Sequence, residues 1–178
     1  LPEDLDGRTV LDAGCGTGAL AVAAAERGAR VTAVDVSPTL LEVARARTPA
    51  TVADRIDYQA GDMLAVDRGP FDYVVAMDSL IHYPLHDMLD AIAALAAMAR
   101  QRVLTTFAPR TPALSLMHVV GRMLPHREHR APAIEPVSEH RLQLGLRDHA
   151  RLAGWAAGRG HRVSSGFYTS QAQELRRP

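Results

Sequence analysis

Residues 10–18 read VLDAGCGTG and connect an apolar run to an alanine-rich segment. The three glycines of this string, Gly14, Gly16 and Gly18, allow a sharp backbone turn and a close approach to a ligand. Residues 19–27 are predicted to form a helix, whose N-terminus would present free N–H groups and the positive end of the helix dipole. The string therefore predicts a strand, a glycine loop and a helix, with a ligand site at the loop.

Outward from this string, strands and helices alternate over the first two-thirds of the chain. Strands are predicted at residues 8–13, 30–35, 56–60, 71–77 and 102–107. Helices are predicted at residues 19–27 and 87–99, and from Pro38 to about Arg47 with Ser37 as the N-cap. This order predicts a parallel sheet with helices on both of its faces.

The last third of the chain departs from this alternation. Helices are predicted at residues 114–124 and 139–152, between loops that contain several prolines. Strands at residues 155–164 and 167–176 follow, joined tightly near Gly166. These two strands predict an antiparallel hairpin that closes a mostly parallel sheet of seven strands.

Length and composition limit the classes of protein to which the chain can belong. The 178 residues predict a single domain, residues 1–178, and the first residue, Leu1, is not Met, so we expect an N-terminal segment to be missing. Twenty basic and twenty acidic residues cancel, which argues against a nucleic-acid-binding protein. The single cysteine, Cys15, excludes an internal disulfide and a cysteine-based zinc site. No apolar run approaches the length of a membrane span.

Two carboxylates point to the kind of ligand that the glycine loop binds. Asp35 ends the second predicted strand, seventeen residues after the last glycine, where it can accept hydrogen bonds from ribose hydroxyls. The glycine spacing also satisfies the loose dinucleotide fingerprint. Asp12, however, would repel a pyrophosphate and hold an ammonium group, which favours S-adenosylmethionine. The alternative is that the glycines make only a tight turn and that Asp12 caps it.

Two strings resemble the first two motifs of the class I S-adenosylmethionine-dependent methyltransferases: VLDAGCGTG at residues 10–18 and VDVS at residues 34–37. The resemblance covers nearly the whole chain and implies a Rossmann-like fold with a C-terminal antiparallel hairpin. It implies S-adenosylmethionine as cofactor and S-adenosylhomocysteine as product, with Asp62 near the adenine amino group and Met63 against the ring. The cofactor residues that it implies are Asp12, Gly14, Cys15, Gly16, Gly18, Asp35, Val36, Ser37, Asp62, Met63 and Met77.

Three further strings resemble the magnesium-protoporphyrin IX methyltransferases of chlorophyll and bacteriochlorophyll biosynthesis. They are MDSLIHYP at residues 77–84, TFAPRTP at residues 106–112 and SSGFYTS at residues 164–170. This resemblance implies O-methylation of one propionate of magnesium protoporphyrin IX to give the monomethyl ester. Members of that family carry an N-terminal segment before the glycine-loop strand, and here only residues 1–7 precede it.

A carboxylate substrate determines which catalytic residues we expect. A propionate is already ionised at neutral pH, so the enzyme needs positioning and burial rather than a strong general base. His82, just past the fourth predicted strand, is expected to position the carboxylate; the alternative is a helix-cap or surface histidine. Tyr83 either assists His82 or only packs. Arg110 either pairs with a second propionate or is a solvated loop residue.

The porphyrin pocket and the partners follow from the same resemblance. Met117 and Val120, on the helix predicted at residues 114–124, would line a flat apolar pocket or pack in the core. We expect no protein-bound metal, since magnesium arrives inside the substrate. The family implies a magnesium chelatase subunit as a partner. Because a porphyrin is hydrophobic, we expect a cytoplasmic protein in peripheral contact with the inner or photosynthetic membrane, although no strongly basic amphipathic helix is evident.

Two other functions remain open from the residues alone. One is a different class I methyltransferase that acts on another small apolar molecule, such as a quinone precursor. The other is a non-catalytic cofactor-binding subunit, against which the intact glycines and the two carboxylates argue.

Overall fold

The computed structural model describes residues 1–110, 134–165 and 168–177. Its strands are β1 Thr9–Ala13, β2 Arg30–Asp35, β3 Ile56–Ala60, β4 Phe71–Ala76, β5 Ala99–Phe107, β6 Ala156–Ser165 and β7 Tyr168–Arg176. Its helices are α1 Ala19–Glu26, α2 Pro38–Arg47, α3 Leu85–Ala97 and α4 Glu139–Asp148. Short 3₁₀ turns lie at Ala53–Arg55 and Ala150–Leu152.

The seven strands form one sheet in the order β3-β2-β1-β4-β5-β7-β6. The first five strands pair with one another in parallel. The last strand, β7, runs antiparallel to both of its neighbours, β5 and β6. The predicted parallel sheet and its antiparallel C-terminal hairpin are therefore confirmed.

Both faces of the central strands are buried, which explains why those strands read as continuous apolar runs. On one face Val74 belongs to a buried cluster that includes Ile92 of α3 and Leu142 of α4. On the other face Val75 belongs to a second cluster that includes Ala24 of α1. Each fully buried aliphatic side chain contributes roughly 1.5–3 kcal/mol to stability. Helices therefore cover both faces of the sheet, as predicted.

The start of α2 is determined locally and fixes the end of β2. The Ser37 Oγ accepts a hydrogen bond from the Leu40 N–H at 3.3 Å, and Pro38 occupies the first helical position. Both features were predicted from the Ser-Pro sequence. Because only Val36 separates the end of β2 from the N-cap Ser37, the start of α2 holds Asp35 at the carboxyl edge of the sheet.

The bounds of two predicted helices are wrong. The helix predicted at residues 87–99 spans Leu85–Ala97, and Ala99, the last residue of the predicted helix, is the first residue of β5. The helix predicted at residues 139–152 ends at Asp148, because His149 adopts an extended conformation with φ −73° and ψ 117°. The His149 Nε2 lies 3.3 Å from the Asp90 Oδ1 of α3, and this contact holds the chain where the helix ends.

The other boundaries lie within one residue of the predictions, except that β5 begins at Ala99, three residues before the predicted start at residue 102, because Ala99 pairs with Phe71 of β4. The helix predicted at residues 114–124 and the turn near residue 166 lie outside the described residues. In the part of the chain that is described, no helix has both the length and the apolar character needed to cross a membrane.

Candidate active site

The candidate site lies at the carboxyl edge of the parallel strands, where ligands bind in open α/β sheets. The glycine loop follows β1, Asp35 ends β2, and residues 77–84 connect β4 to α3. The Gly61 N–H donates to the Asp35 carbonyl at 3.0 Å, so the turn after β3 lies beside the end of β2. The structure thus brings together the four segments on which most of the predicted site residues lie.

The glycine loop requires its glycines for different reasons. Gly14, Gly16 and Gly18 all have positive φ, at 79°, 52° and 79°. A Cβ on Gly14 would also lie 2.5 Å from the Cβ of Ser79, whereas a Cβ on Gly16 would meet nothing within 4 Å. Gly14 is therefore fixed by both backbone conformation and close packing, and Gly16 leaves open space at the loop.

The Asp35 carboxylate is oriented by two backbone groups. Its Oδ2 accepts a hydrogen bond from the Gly16 N–H at 2.8 Å, and its Oδ1 accepts one from the Ser37 N–H at 2.9 Å. A carboxylate oxygen has a second lone pair, so each oxygen can accept another hydrogen bond. Asp35 is half-buried at the rim of the loop, which suits a carboxylate that receives hydroxyl groups from a ligand.

Asp12 is the most perturbed carboxyl group of the site. It is 2% exposed, and burial raises its pKa to about 7, an effect opposed by the Ala21 N–H and increased by the nearby charge of Asp35. The Asp12 Oδ2 is buried and has no hydrogen-bond partner among the described residues. The Ala21 N–H therefore acts on only part of this carboxyl, and a cationic N–H donor would satisfy the remainder.

Three of the predicted cofactor residues, Val36, Asp62 and Met63, lie just past the ends of the neighbouring strands β2 and β3. Val36 is 77% exposed directly after β2. Met63 is buried, and its Sδ lies 3.5 Å from the position that a Gly14 Cβ would take. The exposed Asp62 Oδ1 accepts a hydrogen bond from the Leu64 N–H at 2.9 Å, which fixes the turn. An exposed apolar side chain and an oriented carboxylate at the ends of adjacent strands suit a flat heterocycle with a polar edge.

Cys15 has the properties of a packing residue. It is buried, and its backbone N–H donates to the Val34 carbonyl at 3.0 Å. Burial, together with the charges of Asp12 and Asp35, raises the pKa of its thiol to about 12. A thiol with this pKa stays protonated at neutral pH and is a poor nucleophile.

The segment after β4 carries the residues predicted to touch the substrate. Met77 is 45% exposed, His82 is half-buried, and Tyr83 packs against the main core. The N-cap of α3 is Pro84 rather than His82, so His82 does not occupy the cap position itself. His82 instead lies in the turn that leads from the sheet edge into the helix.

The other predicted substrate residues are only partly described. Arg110 is exposed, and its backbone N–H donates to the Val137 carbonyl at 2.9 Å, which holds it past the end of β5. Met117 and Val120 lie outside the described residues. Across residues 1–110, 134–165 and 168–177, no three His, Cys, Asp or Glu side chains form a group that could hold a metal ion.

Two residues at the site were not assigned a role from the sequence. The Ser79 Oγ donates to the Ala13 carbonyl at 3.0 Å and so attaches the segment after β4 to the end of β1. Asp78, immediately before it, has a φ of +56°. Both lie in the string at residues 77–84, and their position directly after a central strand was the signal that could have identified them.

Comparisons with known proteins agree with this arrangement. The family model described as "Magnesium-protoporphyrin IX methyltransferase C-terminus" matches residues 76–177, and a general "Methyltransferase domain" model matches residues 10–102. The magnesium-protoporphyrin O-methyltransferase of Rhodobacter capsulatus is 40% identical over 176 residues, which are 99% of this chain and 75% of that protein. A ubiquinone biosynthesis O-methyltransferase of Xanthomonas campestris is 38% identical over 135 residues, covering 70% of this chain and 55% of that protein.

Among solved structures, the magnesium protoporphyrin IX methyltransferase from Synechocystis with bound S-adenosylhomocysteine is similar with a TM-score of 0.82. It is 29% identical, and the similarity covers 98% of this chain and 76% of that one. The match of residues 76–177 covers more than half of the chain, including the segment with His82. With its seven-stranded class I methyltransferase fold, the chain belongs to the magnesium-protoporphyrin IX methyltransferase family.

Proposed function

We propose that this chain transfers a methyl group from S-adenosylmethionine to a propionate carboxylate of magnesium protoporphyrin IX, giving the monomethyl ester and S-adenosylhomocysteine. The observation that carries the proposal is the 40% identity to a magnesium-protoporphyrin O-methyltransferase over 99% of the chain. The buried, unpartnered Oδ2 of Asp12 supports a ligand that carries an ammonium group.

On the cofactor side, the residues of the chain bind S-adenosylmethionine and orient it. When bound, S-adenosylmethionine supplies a methyl group activated by a sulfonium. Asp35, whose two oxygens already hold backbone N–H groups, accepts the ribose hydroxyls in a fixed direction. Asp12 accepts the ammonium group at its Oδ2, and Val36 and Met63 contact the adenine ring while Asp62 accepts from its amino group.

On the substrate side, the chain positions an oxygen and excludes water. The propionate is ionised at neutral pH, so no residue has to remove a proton before the new oxygen–carbon bond forms. His82 donates a hydrogen bond to that carboxylate and aligns it, while Arg110 pairs with the second propionate. Alignment of the reacting atoms can supply up to ~7–11 kcal/mol, and a dry site helps because opposite charges disappear in the reaction.

A direct assay tests this proposal. The purified chain is incubated with methyl-labelled S-adenosylmethionine and magnesium protoporphyrin IX, and the monomethyl ester is separated and counted. Label in the porphyrin ester supports the proposal, and its absence under conditions where the Rhodobacter capsulatus relative is active contradicts it. Calorimetry with S-adenosylhomocysteine and with NAD tests the cofactor separately; binding of NAD alone would overturn the cofactor assignment.

A second candidate is methylation of a phenolic quinone precursor, which the 38% identity to a ubiquinone biosynthesis O-methyltransferase favours. A phenol is not ionised at neutral pH, so this reaction would need a base that the carboxylate reaction does not. The same labelled cofactor, offered with a catechol, distinguishes the two. Cofactor binding without transfer to either acceptor would instead indicate a non-catalytic subunit.

We also propose that the enzyme works in the cytoplasm in peripheral contact with the inner or photosynthetic membrane, and that it receives its substrate from a magnesium chelatase subunit. The hydrophobic porphyrin supports both parts, because such a substrate is transferred poorly through water. Flotation with phospholipid vesicles, with and without porphyrin, tests the membrane contact. Co-purification with the chelatase subunit tests the partner.

A further inference from the structure

Asp78 has an unusual backbone conformation at the edge of the site. Its φ of +56° makes it the only non-glycine residue with positive φ in the described part of the chain. Side chains rarely adopt this left-handed conformation, although Asp tolerates it better than most residues. Such conformations persist where the surroundings hold them, and they are frequent at functional sites.

Three hydrogen bonds hold Asp78 in this conformation. Its N–H donates to the Thr106 Oγ1 at 2.7 Å, and that hydroxyl donates back to the Asp78 Oδ1 at 3.0 Å. The Ser170 Oγ donates to the same Oδ1 at 3.3 Å. Thr106 lies in β5 and Ser170 in β7, so one carboxylate connects the ends of three neighbouring strands. We call these three residues the strand-end clamp.

The strand-end clamp adjoins the residues that face the proposed reactants. Ser79 follows Asp78 directly, bonds to the Ala13 carbonyl, and lies so close to Gly14 that no side chain fits there. His82 lies three residues further along the same turn. The backbone conformation of Asp78 therefore determines where Ser79 packs against the glycine loop and where His82 lies.

We propose that Asp78 is a positioning residue for methyl transfer, which acts by fixing the path of residues 77–82 through its bonds to Thr106 and Ser170. This inference rests on the proposed function. Asp78 holds the backbone that carries His82, and the reacting oxygen is aligned only when that path is kept. Nothing in the step requires Asp78 to exchange a proton.

The other end of β4 offers a matched control. There the Asp72 N–H donates to the Thr9 Oγ1 at 3.0 Å, and that hydroxyl donates to the Asp72 Oδ2 at 3.0 Å. The Gln101 Nε2 donates to the Asp72 Oδ1 at 3.1 Å. This arrangement has nearly the same bonds as the strand-end clamp but lies at the amino edge of the sheet. Its loss removes comparable interactions without touching the site.

The experiment measures single-turnover methylation of magnesium protoporphyrin IX, together with the melting temperature and the affinity for S-adenosylhomocysteine. Asp78→Ala and Thr106→Val are expected to slow methyl transfer by ~10²-fold, the loss that a misplacement near 1 Å can cause. Asp78→Asn keeps an acceptor oxygen and tolerates the left-handed conformation, so it should recover to within ~10-fold of wild type. Asp72→Ala and Thr9→Val should lower the melting temperature similarly and keep the wild-type rate.

The outcomes separate positioning from simple stabilisation. Wild-type rates for both Asp78→Ala and Thr106→Val would overturn the inference, as would an equal loss of rate in Asp72→Ala. If Asp78→Ala does not fold, Thr106→Val against Thr9→Val decides the question, because these variants leave both aspartates in place. Failure of the wild-type protein to methylate the porphyrin would overturn the proposed function, and the inference with it.

Discussion

We predict that Asp12 lowers the stability of the ligand-free protein and that the same carboxyl binds the ammonium group of the ligand. Its carboxyl is 2% exposed, and burial raises its pKa from an ordinary value of 3.8 to about 7. Between these two values the unfolded chain has released the proton while the folded chain keeps it. Raising the pH therefore favours the unfolded chain, and above pH 7 the penalty becomes constant.

The size of this penalty follows from the separation of the two pKa values. They differ by about three pH units, and each unit corresponds to 1.36 kcal/mol, so Asp12 costs about 4 kcal/mol at pH 8 compared with pH 4. An Asp12→Asn variant cannot ionise and loses this pH dependence. For a domain of this size, about 4 kcal/mol corresponds to a change of roughly 10 °C in melting temperature.

The assay compares melting temperatures of wild type and Asp12→Asn from pH 4 to pH 8. Any effect of the amide on stability that does not depend on pH cancels, because only the change with pH in the difference between the two melting temperatures is used. We expect the melting temperature of the variant, relative to that of wild type, to rise by roughly 10 °C between pH 4 and pH 8. Asp54→Asn, which removes an exposed carboxyl outside the site, should follow wild type at every pH. Parallel curves for wild type and Asp12→Asn would refute the reasoning.

The same substitution should weaken ligand binding while it stabilises the free protein. At pH 8 we expect the affinity for S-adenosylhomocysteine to fall at least tenfold, because an amide replaces the carboxylate that faces the ammonium group. Binding to wild type near pH 7 should also release protons, since a cation lowers the pKa of Asp12. Calorimetry in buffers of different ionisation enthalpy measures this release, and a value of zero would place the ammonium group elsewhere.

Substitutions at Asp35, at His82 and in the glycine loop also test the site. Asp35→Ala removes two charge-assisted hydrogen bonds worth ~1.5–3 kcal/mol each, so cofactor affinity should fall at least tenfold by calorimetry; unchanged affinity would mean that ribose binds elsewhere. His82→Ala should slow methyl transfer by ~10²-fold with nearly normal cofactor binding, and His82→Gln should recover part of the rate. A wild-type rate for His82→Ala would make it a structural residue. Gly14→Ala places a Cβ 2.5 Å from the Ser79 Cβ at a positive φ, so unfolding experiments should show a loss of about 3 kcal/mol. Gly16→Ala, which meets no atom, should lose about half as much, and equal losses would contradict the packing argument.

The sequence predicted the elements best where residues with restricted conformations bound them. β2 and β3 have the predicted bounds, since β2 ends before a Ser-Pro helix start and β3 ends before Gly61. The boundary between α3 and β5 was misplaced because residues 97–99 read Ala-Met-Ala, which contains neither glycine nor proline. There the sheet pairing of Ala99 with Phe71 decides where the helix ends, and that contact is not visible in the local sequence.

The residues of the candidate site also differ in how well the sequence predicts them. The glycine loop, Asp12 and Asp35 could be predicted because their chemistry lies within single short strings. The role of Asp78 could not, because its partners Thr106 and Ser170 are 28 and 92 residues away along the chain. The raised pKa of Asp12 likewise depends on how completely the sheet and α1 bury its carboxyl. The spacing of residues in the sequence does not reveal that burial.

The place of β7 in the sheet has a consequence for how the protein is made. β7 is the last strand along the chain, yet it lies between β5 and β6, and within the described sheet β6 pairs with β7 alone. During synthesis, β6 leaves the ribosome with no strand to pair with until residues 168–176 emerge. Ser170 arrives with that strand, so the bond that it donates to Asp78 forms only then. A nascent chain can thus build its glycine loop early, but it gains the complete carboxyl edge only after its last strand has been translated.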